Sequence, residues 1–161
     1  MPLLDGLRVV SSAIHGYGVV ATRAFAAGDT LCTGDGVLYE PDDDFDDTYA
    51  LILDGPAGHD VLWDLVDQTR WLNHSCEPNS EVRSRWDAEA GVVRAWWVAL
   101  RDIAPGEEIT YDYAFVPDVA EPCACGAASC RGLIVDPDPE QLARLAEPLR
   151  PLLRPALRAA S

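Results

Sequence analysis

The sequence predicts a mainly β fold made of short strands and closed by one C-terminal helix. Three observations carry this reading. Short β-prone runs recur along most of the 161 residues, 12 Gly and 12 Pro break them at close intervals, and a single helix-start signal stands near the end. Such short, irregular elements suit a compact β-rich domain better than a doubly wound sheet.

The strand runs are, in order, 8–10, 19–21, 29–33, 49–53, 81–85, 92–101 and 108–113. The fifth and sixth read as a hairpin joined by the turn Asp87-Ala88-Glu89-Ala90-Gly91. Phe25-Ala26-Ala27-Gly28-Asp29-Thr30-Leu31 resembles Ile103-Ala104-Pro105-Gly106-Glu107-Glu108-Ile109. In each an apolar residue precedes a Gly-acid turn that returns to an apolar strand, which predicts two similar turns and not a repeat architecture. Residues 41–48 form an acidic loop. The helix starts where Asp138 caps, Pro139 takes the first helical position and Gln141 completes a capping box. Leu142, Leu145 and Leu149 share a face, and Pro148, Pro151 and Pro155 break the tail after about residue 147.

At 48% hydrophobic the chain can bury a real core, which excludes a disordered protein. No apolar run approaches the ~18–20 residues needed to span a bilayer, so no membrane partner is expected. Met1-Pro2-Leu3-Leu4-Asp5 carries no basic n-region, so the expected compartment is the cytoplasm, or the nucleus in a eukaryote. The net charge is −15, and all 12 basic residues are arginine. That balance argues against direct nucleic-acid binding and suits a basic partner.

Five cysteines lie at 32, 76, 123, 125 and 130. The last three form C-x-C-x4-C, one ligand short of tetrahedral zinc. Cys76, in the turn Ser75-Cys76-Glu77-Pro78-Asn79, is the best fourth ligand, and Cys32 sits in an apolar strand. Cys76, Cys123, Cys125 and Cys130 would leave no open coordination position, so the zinc would be structural. The alternative is a set of unrelated free thiols. A cysteine nucleophile at Cys76 with His74 as its base is weak, since residues two apart rarely face each other productively. In Tyr111-Asp112-Tyr113 the two phenols, two apart on a strand, point to one face.

Asn73-His74-Ser75-Cys76-Glu77-Pro78-Asn79 matches the most specific signature of the SET-domain family of protein-lysine methyltransferases, and the chain resembles that family. Gly106 to Tyr113 matches its second signature, and Cys123 to Gly132 its post-SET zinc motif. Ile14-His15-Gly16-Tyr17-Gly18-Val19 is similar to its N-terminal glycine motif. The resemblance implies a SET fold with a pseudoknot at Asn73–Cys76, S-adenosylmethionine on one face and a narrow lysine channel from the other. It implies a SET domain over 1–115 with a variable acidic insert at about 41–60, a post-SET zinc segment over 116–134 and a helical tail over 135–161. By the same resemblance His15, Gly16, Tyr17, Gly18, Tyr49, Asn73 and His74 contact the cofactor. Tyr113 takes the place of the catalytic tyrosine, and Tyr111 the position that tunes how many methyl groups are added.

The reaction this implies is methyl transfer to lysine in a basic protein, giving mono- or dimethylation. The amine must be neutral, and deprotonating a lysine of pKa ~10.4 at pH 7 costs roughly 4–5 kcal/mol. A desolvated channel and the sulfonium charge both lower that cost. One departure is notable: where many members carry E-Y-x-G, whose tyrosine lines the channel, this chain has Thr33-Gly34-Asp35-Gly36. That departure supports the alternative, a catalytically impaired SET-fold binding module.

Overall fold

A computed structural model describes residues 5–40 and 43–154. Met1 to Leu4, the start of the acidic loop at Pro41-Asp42, and the tail from Pro155 lie outside the described residues. The strands are β1 (Leu7–Ser11), β2 (Tyr17–Ala21), β3 (Thr30–Thr33), β4 (Gly36–Tyr39), β5 (Ala50–Asp54), β6 (Asp60–Leu65), β7 (Asn73–His74), β8 (Ser80–Asp87), β9 (Val92–Ala99), β10 (Glu108–Tyr111), β11 (Glu121–Pro122) and β12 (Leu133–Ile134). They form sheets ordered β1-β2-β10-β7, β3-β9-β8, β4-β6-β5 and β11-β12. Among the described residues no helix is long and apolar enough to cross a membrane.

All seven predicted runs overlap strands, although the strands in 92–101 and 108–113 end two residues early, which leaves Tyr113 beyond the end of β10. β8 and β9 form the predicted hairpin, with Gly91 at φ 65° in its turn. The two similar turns lie side by side. Phe25 and Ile103 exchange backbone hydrogen bonds of 3.0 and 2.9 Å, and Gly28 and Gly106 share a φ near 90° (89° and 87°). The same sequence pattern therefore folds to the same turn twice, across a local two-fold.

Trp97, Val19, Ile109, Leu72 and Ile103 are fully buried in the main core. A second cluster, Leu133, Val135, Leu142, Leu145 and Leu153, holds the C-terminal segment. The predicted helix α1 spans only Pro139–Ala143, with Asp138 accepting the Glu140 N–H at 2.8 Å. Gly132, at φ 84°, lies so close to the Leu152 carbonyl that a Cβ would overlap it, so the tail folds directly over this glycine.

The sheet β4-β6-β5 grows out of the body between Gly34 and Asp67. Its two ends meet where the Val66 N–H donates to the Asp35 carbonyl at 3.0 Å and the Asp35 N–H donates to Asp67 Oδ2 at 3.1 Å. Val61, Trp63 and Leu65 face the core, while Val37 and Ile52 are exposed on the other side. Residues 24–69 contain 12 of the 27 acidic residues and no arginine. Most of the net charge is therefore concentrated on and around this sheet.

Candidate active site

β10 is the axis of the site. It pairs antiparallel with β2 and parallel with β7, in the register Thr110↔Asn73 and Tyr111↔His74. Beyond β7, the Asn79 side chain takes over as pairing partner. Its Oδ1 accepts the Thr110 N–H at 2.9 Å and its Nδ2 donates to the Glu108 carbonyl at 2.8 Å. Ser80 Oγ donates to the Thr110 carbonyl at 2.9 Å. These bonds satisfy strand groups that would otherwise be orphaned in the core.

Asn73 Nδ2 donates to the carbonyls of Tyr17 (2.8 Å) and His15 (3.3 Å) and to Glu108 Oε1 (2.8 Å). Its amide hydrogens therefore brace the glycine loop. Glu108 also accepts from Ser12 Oγ at 2.8 and 2.9 Å. A Cβ at Gly18 would overlap Glu108 Oε1, whereas Gly16, at φ 45°, has no heavy atom within 4 Å of its Cβ position. His15 and Gly16 are exposed.

Tyr17 and Tyr49 both meet Trp71 edge-on, with centroids 5.4 and 5.6 Å away. Arg70 lies over the Tyr49 ring at 4.1 Å. Its Nε is buried and, among the described residues, has no hydrogen-bond partner. A cationic donor left unpaired beside the glycine loop and two tyrosines fits the carboxylate of an amino-acid-bearing cofactor.

Tyr113 is held at several points. Its hydroxyl donates to the Leu72 carbonyl at 2.8 Å, its N–H donates to His74 Nδ1 at 3.2 Å, and its ring packs against Tyr111 at 4.8 Å. Burial, with the nearby Tyr49 and Glu108, pushes its hydroxyl above the usual tyrosine range, and burial, with Tyr113, likewise raises Tyr111. Both phenols therefore stay protonated at neutral pH. The Trp97 ring meets Tyr111 at 5.8 Å. A Cβ at Gly34 would lie 2.9 Å from Trp97 and 3.0 Å from Trp63, so these two indoles fill the space that a side chain there would need.

The thiols converge as well. Ligand atoms of His74, Cys76, Cys123 and Cys125 all lie within 4.8 Å of one another. Cys76 Sγ and Cys123 Sγ are 3.8 Å apart. With Zn–S near ~2.3 Å, the edge of a tetrahedron is about 3.8 Å, so this spacing fits zinc. Backbone N–H groups point at the sulfurs: Arg131 to Cys76 (3.3 Å), Cys76 to Cys125 (3.5 Å) and Gly132 to Cys130 (3.4 Å). Burial pushes Cys76 up to about 11, whereas N–H donors outweigh burial at Cys125 and bring it down to about 7. A bound cation would supply the charge that turns the buried thiols into thiolates. Cys32 is buried away from the cluster, and burial, with Asp67, raises it to about 12.

His74, assigned from the sequence to the cofactor, also borders the thiols. Burial lowers its pKa to about 4, against the pull of Asp112, so its ring is neutral. Because Nδ1 accepts the Tyr113 N–H, the proton sits on Nε2, which lies 3.3 Å from Cys76 Sγ. In this geometry Nε2 faces Cys76 Sγ as a donor, and the four converging ligand atoms include His74 in place of Cys130, the fourth ligand expected from the sequence. Asp112 and Arg131, which sequence reasoning passed over, join in a bidentate pair at 2.6 and 2.8 Å. Nineteen positions separate them, and neither stands out in a linear reading except as a neighbour of Tyr113 or Cys130.

Comparison with known proteins agrees with this geometry. The SET domain family profile matches residues 16–114. Histone-lysine N-methyltransferase TRX1 of Oryza sativa subsp. japonica is 38% identical over 141 residues, covering 80% of this chain and 14% of that protein. Histone-lysine N-methyltransferase 2B of Homo sapiens is 36% identical over 141 residues, covering 79% of this chain and 5% of that protein. The chain therefore spans only a small part of these relatives. A crystal structure of KRYPTONITE with mCHH DNA, an H3(1-15) peptide and SAH superposes with TM-score 0.64 at 28% identity, covering 80% of this chain and 29% of that one. With the profile match covering more than half of its length, the chain belongs to the SET domain family.

Proposed function

We propose that this protein transfers a methyl group from S-adenosylmethionine to the side-chain amine of a lysine in a basic protein. The observation that carries the reading is Tyr113, fixed through its hydroxyl, its N–H and its ring beside the Asn73–His74 segment. A protonated phenol held this firmly is not a general base. It orients the incoming amine, and the desolvated channel lowers the amine's pKa. The cofactor, when bound, supplies an electrophilic sulfonium methyl. His15 to Gly18, Asn73, His74 and Tyr49 would hold it, with Arg70 pairing its carboxylate.

Zinc on Cys76, Cys123, Cys125 and Cys130 would tie the residues after 116 to the Asn73 segment. Twelve acidic residues over 24–69 favour capture of a cationic segment. The similarity to proteins named histone-lysine N-methyltransferases supports the same substrate chemistry. Trp97 and Trp63 close the space at Gly34, so the channel wall does not depend on a tyrosine there, and this favours an enzyme over an inactive module.

The test is incubation with labelled cofactor and a panel of basic proteins, followed by mass spectrometry of the products. Labelled mono- or dimethyllysine is expected, and Tyr113→Phe should lower the rate on the order of 10²-fold. Cofactor binding without transfer to any protein of the panel would sink the reading. Tyr111→Phe should shift the products toward higher methylation, because the Tyr111 hydroxyl occupies space beside Trp97 and Tyr113.

A further inference from the structure

Arg131 is buried, with 7% of its surface exposed, although it is charged. Burying a guanidinium is costly unless its partners are well placed. Its Nη1 and Nη2 meet Asp112 Oδ2 and Oδ1 at 2.8 and 2.6 Å. Asp112 lies between the two tyrosines, and its Oδ1 also accepts the Ala114 N–H at 3.1 Å. Ala114 has φ 47°, a conformation that costs a non-glycine residue energy and needs a fixed neighbour. Arg131 thus holds the carboxylate that closes the turn immediately after Tyr113.

The other end of Arg131 reaches the thiol cluster. Its backbone N–H donates to Cys76 Sγ at 3.3 Å, and it follows Cys130 directly in the chain. From Cys76 the path returns through His74, whose Nε2 lies 3.3 Å from that sulfur and whose Nδ1 accepts the Tyr113 N–H at 3.2 Å. Polar contacts join Arg131 to Cys76, Cys76 to His74, His74 to Tyr113 and Arg131 to Asp112, and the peptide bond between Asp112 and Tyr113 closes the ring. One side is the thiol cluster, and the other is the backbone of Tyr113.

We infer that Arg131 is a positioning residue for methyl transfer, setting the backbone of Tyr113 through Asp112 and linking it to the metal-binding thiols. The inference rests on the proposed methyltransferase reading for its kinetic consequence, but its structural core is independent of activity. Substituting Arg131 removes only the side-chain link, because the N–H that meets Cys76 belongs to the backbone. Metal binding and cofactor binding should therefore survive while Tyr113 is released.

The test compares wild type with Arg131→Met, Arg131→Lys, Asp112→Asn and the Asp112→Asn/Arg131→Met pair, with the surface variant Arg144→Met as control. The first readout is amide hydrogen exchange in the zinc-loaded protein. Exchange at Tyr113 and Ala114 should quicken about tenfold in Arg131→Met and Asp112→Asn, with core amides such as Val19 unchanged. The second is kinetic: kcat should fall about tenfold, with KM for S-adenosylmethionine and bound zinc unchanged, and the double variant should be no worse than the poorer single. Arg131→Lys, keeping a charge but not the fork, should fall between wild type and Arg131→Met in both readouts. Unchanged exchange at the two amides overturns the inference, as do loss of zinc with unchanged kcat per zinc-loaded molecule and additive losses in the double variant. An inactive wild type would instead refute the methyltransferase reading and leave the exchange readout to decide this one.

Discussion

The strand β10, which ends at Tyr111 two residues before Tyr113, and the sheet β4-β6-β5 are both β structure, yet they are held differently. Around β10, the buried side chains of Asn73, Asn79 and Ser80 and the half-buried Asp112 bond to groups on distant segments or turn ends. The insert sheet is held mainly by its own backbone ladder and one apolar face, with Val37 and Ile52 left exposed on the other. Buried polar bonds specify position to a fraction of an ångström, whereas an apolar face tolerates substitution as long as volume is kept. The chemistry therefore sits where position is over-determined, and the most acidic surface sits where the sequence is free to vary.

The sharpest way to break this contrast is to strip the metal that the thiol cluster is proposed to hold. Chelation should unravel the residues after 116 and weaken cofactor binding, since structural zinc contributes about 10–16 kcal/mol in small zinc-finger peptides. Circular dichroism and calorimetric titration with cofactor check this, and full cofactor affinity in the metal-free protein would contradict it. Next is Trp97→Ala, which opens a cavity beside Tyr111 and should cost about 3–5 kcal/mol in denaturant unfolding. Asn73→Ala, which leaves the loop carbonyls of His15 and Tyr17 without their donor, should cost about 1–3 kcal/mol and weaken cofactor binding measurably. Ile52→Thr, on the exposed face of the insert, should stay within about 0.5 kcal/mol of wild type. Replacing Asp43, Asp44, Asp46 and Asp47 by Asn should likewise leave stability near wild type. It should lower kcat/KM for a basic protein, with the difference vanishing at high salt. A large stability loss from either change would show the insert to be as tightly specified as the site.

Elements with a strong local signal were legible from sequence. β1, β2 and β9 are runs rich in valine, β8 precedes a Gly91 turn into β9, and the Gly28 and Gly106 turns announce themselves through their Gly-acid pairs. β6 was missed although Val61, Trp63 and Leu65 alternate inward, because Asp60 and Asp64 on the outward side interrupt the apolar run. β7, β11 and β12, of two residues each, exist only because distant chain pairs with them, so no local pattern marks them. In the site, the motif residues were readable by type. The Asp112–Arg131 pair was not, because it joins positions that only the folded thiol segment brings together. His74 likewise gained its contact with Cys76 only once Tyr113 fixed its tautomer.

The neck formed by Asp35, Val66 and Asp67 has a consequence for how such a protein can change. Because the chain leaves and re-enters the body at adjoining points, the segment between them behaves as a cassette. Its outer edge could be lengthened or exchanged between these residues as long as Tyr49 keeps its place against Trp71 and Trp63 its place at Gly34. On the proposed reading, retargeting to a new protein would then fall to the outward face of the graft, while its inward residues Tyr49 and Trp63 stay with the methyl-transfer machinery.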